Sequence, residues 1–141
     1  MKNRAFIDSD IILDLLTKRE PFYHDAAKLF SLSYEKKVEL FTSAVVFMNV
    51  FYILRKIRGN EEARKQLREL RLLIQVAPID EKTVDMALNS KFRDFEDGLQ
   101  YFSAKQSGIP TLITRNTADY REKDLIIQAS NVFLKINYPS D

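Results

Sequence analysis

The chain has no cysteine and a single histidine. The first absence excludes disulfides and thiolate metal sites. The second leaves too few imidazoles for a histidine-based zinc site and makes a serine triad a poor fit. A resident metal would therefore be held mainly by oxygen, which favours magnesium or manganese. Glycine and proline are scarce, at three and four residues, which argues against long disordered linkers. No apolar run approaches the roughly 18 residues that a membrane span requires. Only three apolar residues separate Met1-Lys2-Asn3-Arg4 from Asp8, which does not fit a signal peptide. A cytoplasmic location is the default expectation. Charge of one sign is also lacking: the net charge of +2 is too mild to demand a nucleic-acid partner and does not oppose one.

What is present is ordinary for a globular protein. Of 141 residues, 45% are apolar and 30% charged, enough for one domain, residues 1–141, with a real core. Short apolar runs alternate with helical patterns. Ala5-Phe6-Ile7, Val38-Glu39-Leu40-Phe41, Gln75-Val76-Ala77, Thr111 to Thr114 and Leu125-Ile126-Ile127 read as strands. Helices are expected after Asp10, after Glu20-Pro21, over Ala44 to Arg58, Glu61 to Leu73 and Glu81 to Asn89, from the Asp94 segment to Gln106, and after Ser130. The tail from Tyr138 is expected to fray. This alternation predicts an α/β domain around a parallel sheet of about five strands with right-handed crossovers. The segment Ala44 to Arg58 is apolar nearly all round, so it is buried on several sides, or buried on one and paired with another subunit on the other. Asn49 is the one strongly polar residue in its middle.

Asp8 sits where the first strand gives way to a helix, and sites in parallel sheets form at the carboxyl ends of strands. The stretch Asp94-Phe95-Glu96-Asp97-Gly98-Leu99-Gln100 opens a helix with three acids. Asp119 lies in the polar turn after the fourth strand, with Thr114, Arg115 and Asn116. Each acid has an ordinary explanation as well: Asp8 and Asp94 as helix caps, Glu96 and Asp97 as first-turn acids, Asp119 as a turn residue. Gathered together they carry more. Two carboxylates 4 Å apart repel by roughly 4 kcal/mol at an effective dielectric of 20. Relief comes from a divalent cation or from raised pKa values. Arg115 beside the acids could hold a phosphate.

These residues resemble the PIN domain family. Phe6-Ile7-Asp8-Ser9-Asp10-Ile11-Ile12 looks like its opening, Thr42-Ser43-Ala44 through Tyr52 its second motif, the Asp94 to Gln100 stretch its third, and Ile113-Thr114-Arg115-Asn116 with Asp119-Tyr120 its fourth. The length resembles the VapC-type toxins of bacterial toxin–antitoxin pairs. The resemblance implies a three-layer α/β/α fold and an acidic pocket for magnesium or manganese. It further implies RNA cleavage by metal-activated water, a homodimer, and a small antitoxin partner. Asp8 and Asp97 match its metal ligands; Asp119 or Asn116 completes the pocket, and Asn49, Asp94, Glu96 and Thr114 support it. Asn49 stands where the family carries glutamate, and a neutral amide cannot act as a base. Gly98 replaces a usual alanine. Three functions follow: a metal-dependent endoribonuclease, a PIN-like module that binds RNA or antitoxin without cleaving, and a phosphoacceptor receiver domain. The last needs an aspartate ending the central strand and a lysine after the last one, and Asp80 and Lys135 fit those places poorly.

Overall fold

The central strand of the sheet is β1 (Asn3–Ile7), and every pairing around it is parallel. The computed structural model describes residues 2–122 and 124–139. The five strands run in the order β3-β2-β1-β4-β5, with β2 at Val38–Thr42, β3 at Ile74–Val76, β4 at Thr111–Ile113 and β5 at Ile126–Gln128. The chain thus builds outward from β1 on one side and then returns to its other side. That reversal lies between β1 and β4, where the carboxyl ends of parallel strands leave a crevice.

Seven helices cover the sheet: α1 (Ser9–Leu16), α2 (Tyr23–Tyr34), α3 (Ala44–Arg58), α4 (Asn60–Arg71), α5 (Glu81–Leu88), α6 (Phe95–Gln106) and α7 (Ser130–Asn137). Strand alternation divides the core in two. Ala5, Ile7, Leu40 and Ile113 pack with residues of α1 to α4 and α7. Phe6, Phe41 and Leu112 pack with Leu99, Tyr101 and Phe102 of α6 and Ala87 of α5. The result is the expected α/β/α layering about a five-stranded parallel sheet. In α6, Gly98 lets two helices approach closely: a Cβ there would lie 3.3 Å from the Cβ of Ala87.

Some boundaries differ from the sequence reading. β3 begins one residue earlier and β5 one residue later than expected; both are three-residue edge strands with little pattern to fix them. The expected fraying from Tyr138 is corrected. Its hydroxyl accepts from Asn3 Nδ2 at 3.0 Å and donates to the Lys37 carbonyl at 2.9 Å. Residues 140 and 141 lie outside those described. The all-round apolar α3 buries only Val46, Val50 and Leu54; Met48, Tyr52, Ile53 and Ile57 are exposed.

Candidate metal centre

Asp8 follows β1 directly, and its N–H donates to the Ile113 carbonyl of β4 at 3.0 Å, so the two strand ends are locked together beneath it. Its carboxylate is divided. Oδ1 caps α1 by accepting from the Ser9 N–H at 2.7 Å. Oδ2 accepts from the Thr114 hydroxyl at 2.9 Å and lies 3.4 Å from the Tyr120 hydroxyl. Asp8 is 6% exposed.

Asp97 arrives from the first turn of α6. Asp94 caps that helix, accepting from the Asp97 N–H at 3.1 Å. The Asp97 Oδ1 lies 3.2 Å from the same Tyr120 hydroxyl. One phenolic oxygen therefore stands between two carboxylates, and its single proton can serve only one of them at a time. Burial, then Asp94 and Asp8, push the Asp97 carboxyl up to about 7, against the pull of the Tyr120 hydrogen bond. The Tyr120 phenol is itself pushed up, chiefly by burial and then by Asp8 and Asp97.

Two further acids border this pair. Burial and then Asp8 raise Asp10 to about 6; its Oδ2 accepts the Arg115 N–H at 3.0 Å, and its Oδ1 is buried without a partner. Glu96 is also raised, first by burial and then by Asp94. Its Oε1 accepts from Asn49 Nδ2 at 2.5 Å and from Gln100 Nε2 at 3.3 Å. Asn49 thus reaches the acids through Glu96.

The remaining candidates divide between two hollows. Asp119 is exposed at the end of a 3-10 turn and lines a cavity of about 440 Å3 with Asp97, Asp94 and Glu122, beside the cations Lys91, Arg93 and Arg121. Asn116 lines a different hollow with Asp14 and Arg115; its N–H donates to the Thr114 hydroxyl at 3.1 Å. Arg115, expected to hold a phosphate, has its guanidinium occupied. Nε and Nη2 donate to the two oxygens of buried Asp14 at 3.1 and 3.0 Å, and the group lies 4.0 Å from the centre of the Phe22 ring. Sequence analysis gave neither Tyr120 nor Gln100 a role at the site. The Tyr120 ring does pack against Phe92; only the fold reveals where its hydroxyl ends.

The donor set suits a hard cation. Asp8 and Asp97 offer oxygen only, and among the described residues no Lys or Arg forms an ion pair with either. No three acidic or histidine side chains among the described residues converge tightly enough to enclose an ion. A magnesium-like ion is commonly held by one or two carboxylates together with water and substrate phosphates, and two carboxylates fit that pattern.

Three comparisons bear on this arrangement. The chain is 25% identical over 122 residues to ribonuclease VapC1 of Aquifex aeolicus (strain VF5), covering 83% of this chain and 84% of that one. Its fold is similar to VapBC2 from Rickettsia felis bound to a promoter DNA fragment, with a TM-score of 0.68 and 18% identity over 89% of this chain and 98% of the other. It is similar also to VapC20 of Mycobacterium tuberculosis, a sarcin-ricin loop cleaving toxin, with a TM-score of 0.60 and 17% identity over 77% and 86%. The PIN domain model matches residues 4–118, a span that holds both Asp8 and Asp97 and all of the sheet but Asn3 and β5; the chain belongs to the PIN domain family.

Proposed function

We propose that this chain is a metal-dependent endoribonuclease of the toxin type, using magnesium or manganese. One observation carries the reading: Asp8 and Asp97, 89 positions apart in the sequence, face each other across a single hydroxyl, and no Lys or Arg among the described residues forms an ion pair with either. The ion would supply an activated water and neutralise charge on a phosphate. Hydrolysis joins the water oxygen to phosphorus and breaks a P–O ester bond. The attacking water must lose a proton, and the oxygen that leaves phosphorus must gain one. Asp119, in the same cavity as Asp97, completes the pocket or orients water.

The cations at that cavity are placed to meet the substrate. Lys91, Arg93 and Arg121 stand beside the acids, and none is paired with an acid among the described residues. They are better candidates for RNA phosphate than Arg115, whose fork is filled by Asp14. A small antitoxin is the proposed protein partner. The groove between α3 and α4 is lined by Phe47, Met48, Phe51 and Leu67 and edged by Arg64 and Arg68, which fits a segment with apolar anchors and acidic flanks. A homodimer is proposed as well, and light scattering of the purified chain tests it.

The deciding experiment is cleavage of RNA with and without manganese. Asp97→Asn is expected to abolish cleavage and weaken manganese binding; full activity in that variant would remove the proposal. A second reading, a PIN-like module that binds without cleaving, is favoured by Asn49, which presents an amide where an acid is expected. RNA binding without cleavage in saturating manganese, by both the native chain and Asn49→Glu, would select it.

A further inference from the structure

Glu96 belongs to α6, yet its side chain is held from α3. Asn49 Nδ2 and Gln100 Nε2 both donate to its Oε1. Two donors on one oxygen leave Oε2 as the atom free to act. Both donors are neutral, so they fix the carboxylate without cancelling its charge. Among the described residues no Lys or Arg forms an ion pair with Glu96 either.

A simple tie between two helices would explain the Asn49 bond but not Gln100. That residue is 0% exposed, and its Oε1 has no hydrogen-bond partner. An amide oxygen buried without a partner is unfavourable for the protein alone. It becomes favourable when positive charge is near, because carbonyl and carboxylate oxygens attract the same hard cation.

We propose that Glu96 is a supporting acid beside the divalent-cation site, supplied from α6, with Asn49 and Gln100 as the residues that position it. The proposal rests on the reading of Asp8 and Asp97 as the direct ligands. Since no three acids enclose one point, Glu96 works from beside the pair. It contributes its charge and accepts a hydrogen bond from water held in the site.

The test is a manganese titration by calorimetry on the full chain and four variants: Glu96→Gln, Asn49→Ala, the two combined, and Asp97→Asn as reference. Loss of a supporting group around a metal commonly weakens affinity by 10–100-fold, so Glu96→Gln should weaken manganese binding by about ten-fold while leaving the melting temperature of the metal-free protein no lower. Asn49→Ala should weaken binding when Glu96 is present and have no further effect in the Glu96→Gln background. Native affinity in Glu96→Gln, with binding lost in Asp97→Asn, overturns this proposal and leaves the two-ligand reading standing. Native affinity in Asp97→Asn as well overturns both. Should Glu96→Gln fail to fold, Asn49→Ala decides alone: unchanged affinity there overturns the proposal, and weakened affinity with an unchanged melting temperature supports it.

Discussion

Helix α1 carries an acid at each end, and the two are treated in opposite ways. Asp14 is buried and gripped by both arms of the Arg115 guanidinium, which is in turn laid against Phe22. Asp8 is buried at the other end and meets only hydroxyls and a backbone N–H. Asp97 opposite it meets a phenol. Arg115 pairs with Asp14, whereas no Lys or Arg among the described residues pairs with Asp8 or Asp97. Burial raises the Asp14 pKa, but Arg115 pulls it back, so the charge is satisfied within the fold. At Asp97 the neighbouring charges add to burial. The first arrangement is complete as folded, whereas the second is relieved by a proton or by an ion from outside.

The contrast can be broken most forcefully at Arg115. Removing one partner of a buried ion pair strands the other, so Arg115→Met should lower stability by about 3–5 kcal/mol in urea denaturation. Asp97→Asn should do the reverse and raise the stability of the metal-free protein at pH 8, because it removes a crowded charge. Destabilisation by both would erase the distinction. Next in size is the response to the ion. At a hundred-fold excess over its dissociation constant, manganese should stabilise the native chain by about 2.7 kcal/mol, read as a raised melting temperature, and should leave Asp97→Asn nearly unmoved.

Proton dependence sharpens the same point. Asp97 and Asp10 titrate near 7 and 6 in the folded chain against an ordinary value of 3.8. Between those limits the folded state holds protons that the unfolded state has released, so stability falls as pH rises. Metal-free protein should therefore be more stable near pH 4.5 than near pH 7.5 with respect to these groups, and Asp97→Asn should flatten the difference. Residual contact with solvent makes this effect smaller than that of the ion. The smallest change is expected from Tyr120→Phe: the ring packing stays, one hydroxyl goes, and a loss of about 1 kcal/mol is expected.

The sequence made some of this legible. The limits of α3, Ala44 to Arg58, follow from its apolar pattern, the Ser43 cap and Gly59. The place of Asp8 at a strand end follows from Ala5-Phe6-Ile7 alone. What stayed hidden lies in long-range pairs. Nothing local marks Asp14 as the partner of Arg115, 101 positions away. The Tyr120 and Gln100 side chains are buried, but no local pattern shows where a buried polar tip ends. Asp94 met its ordinary explanation as a cap while also raising Asp97, so the bland and the functional accounts of one residue coexist.

The divided carboxylate of Asp8 fixes its denticity. With Oδ1 committed to the start of α1, rotation of the group would uncap the helix, and Oδ2 alone is left to bind. In the proposed site Asp8 would thereby offer a single oxygen. Calcium, which gathers six to eight oxygens and often takes two from one carboxylate, is poorly served by such a residue; a small octahedral ion that brings its own water is not.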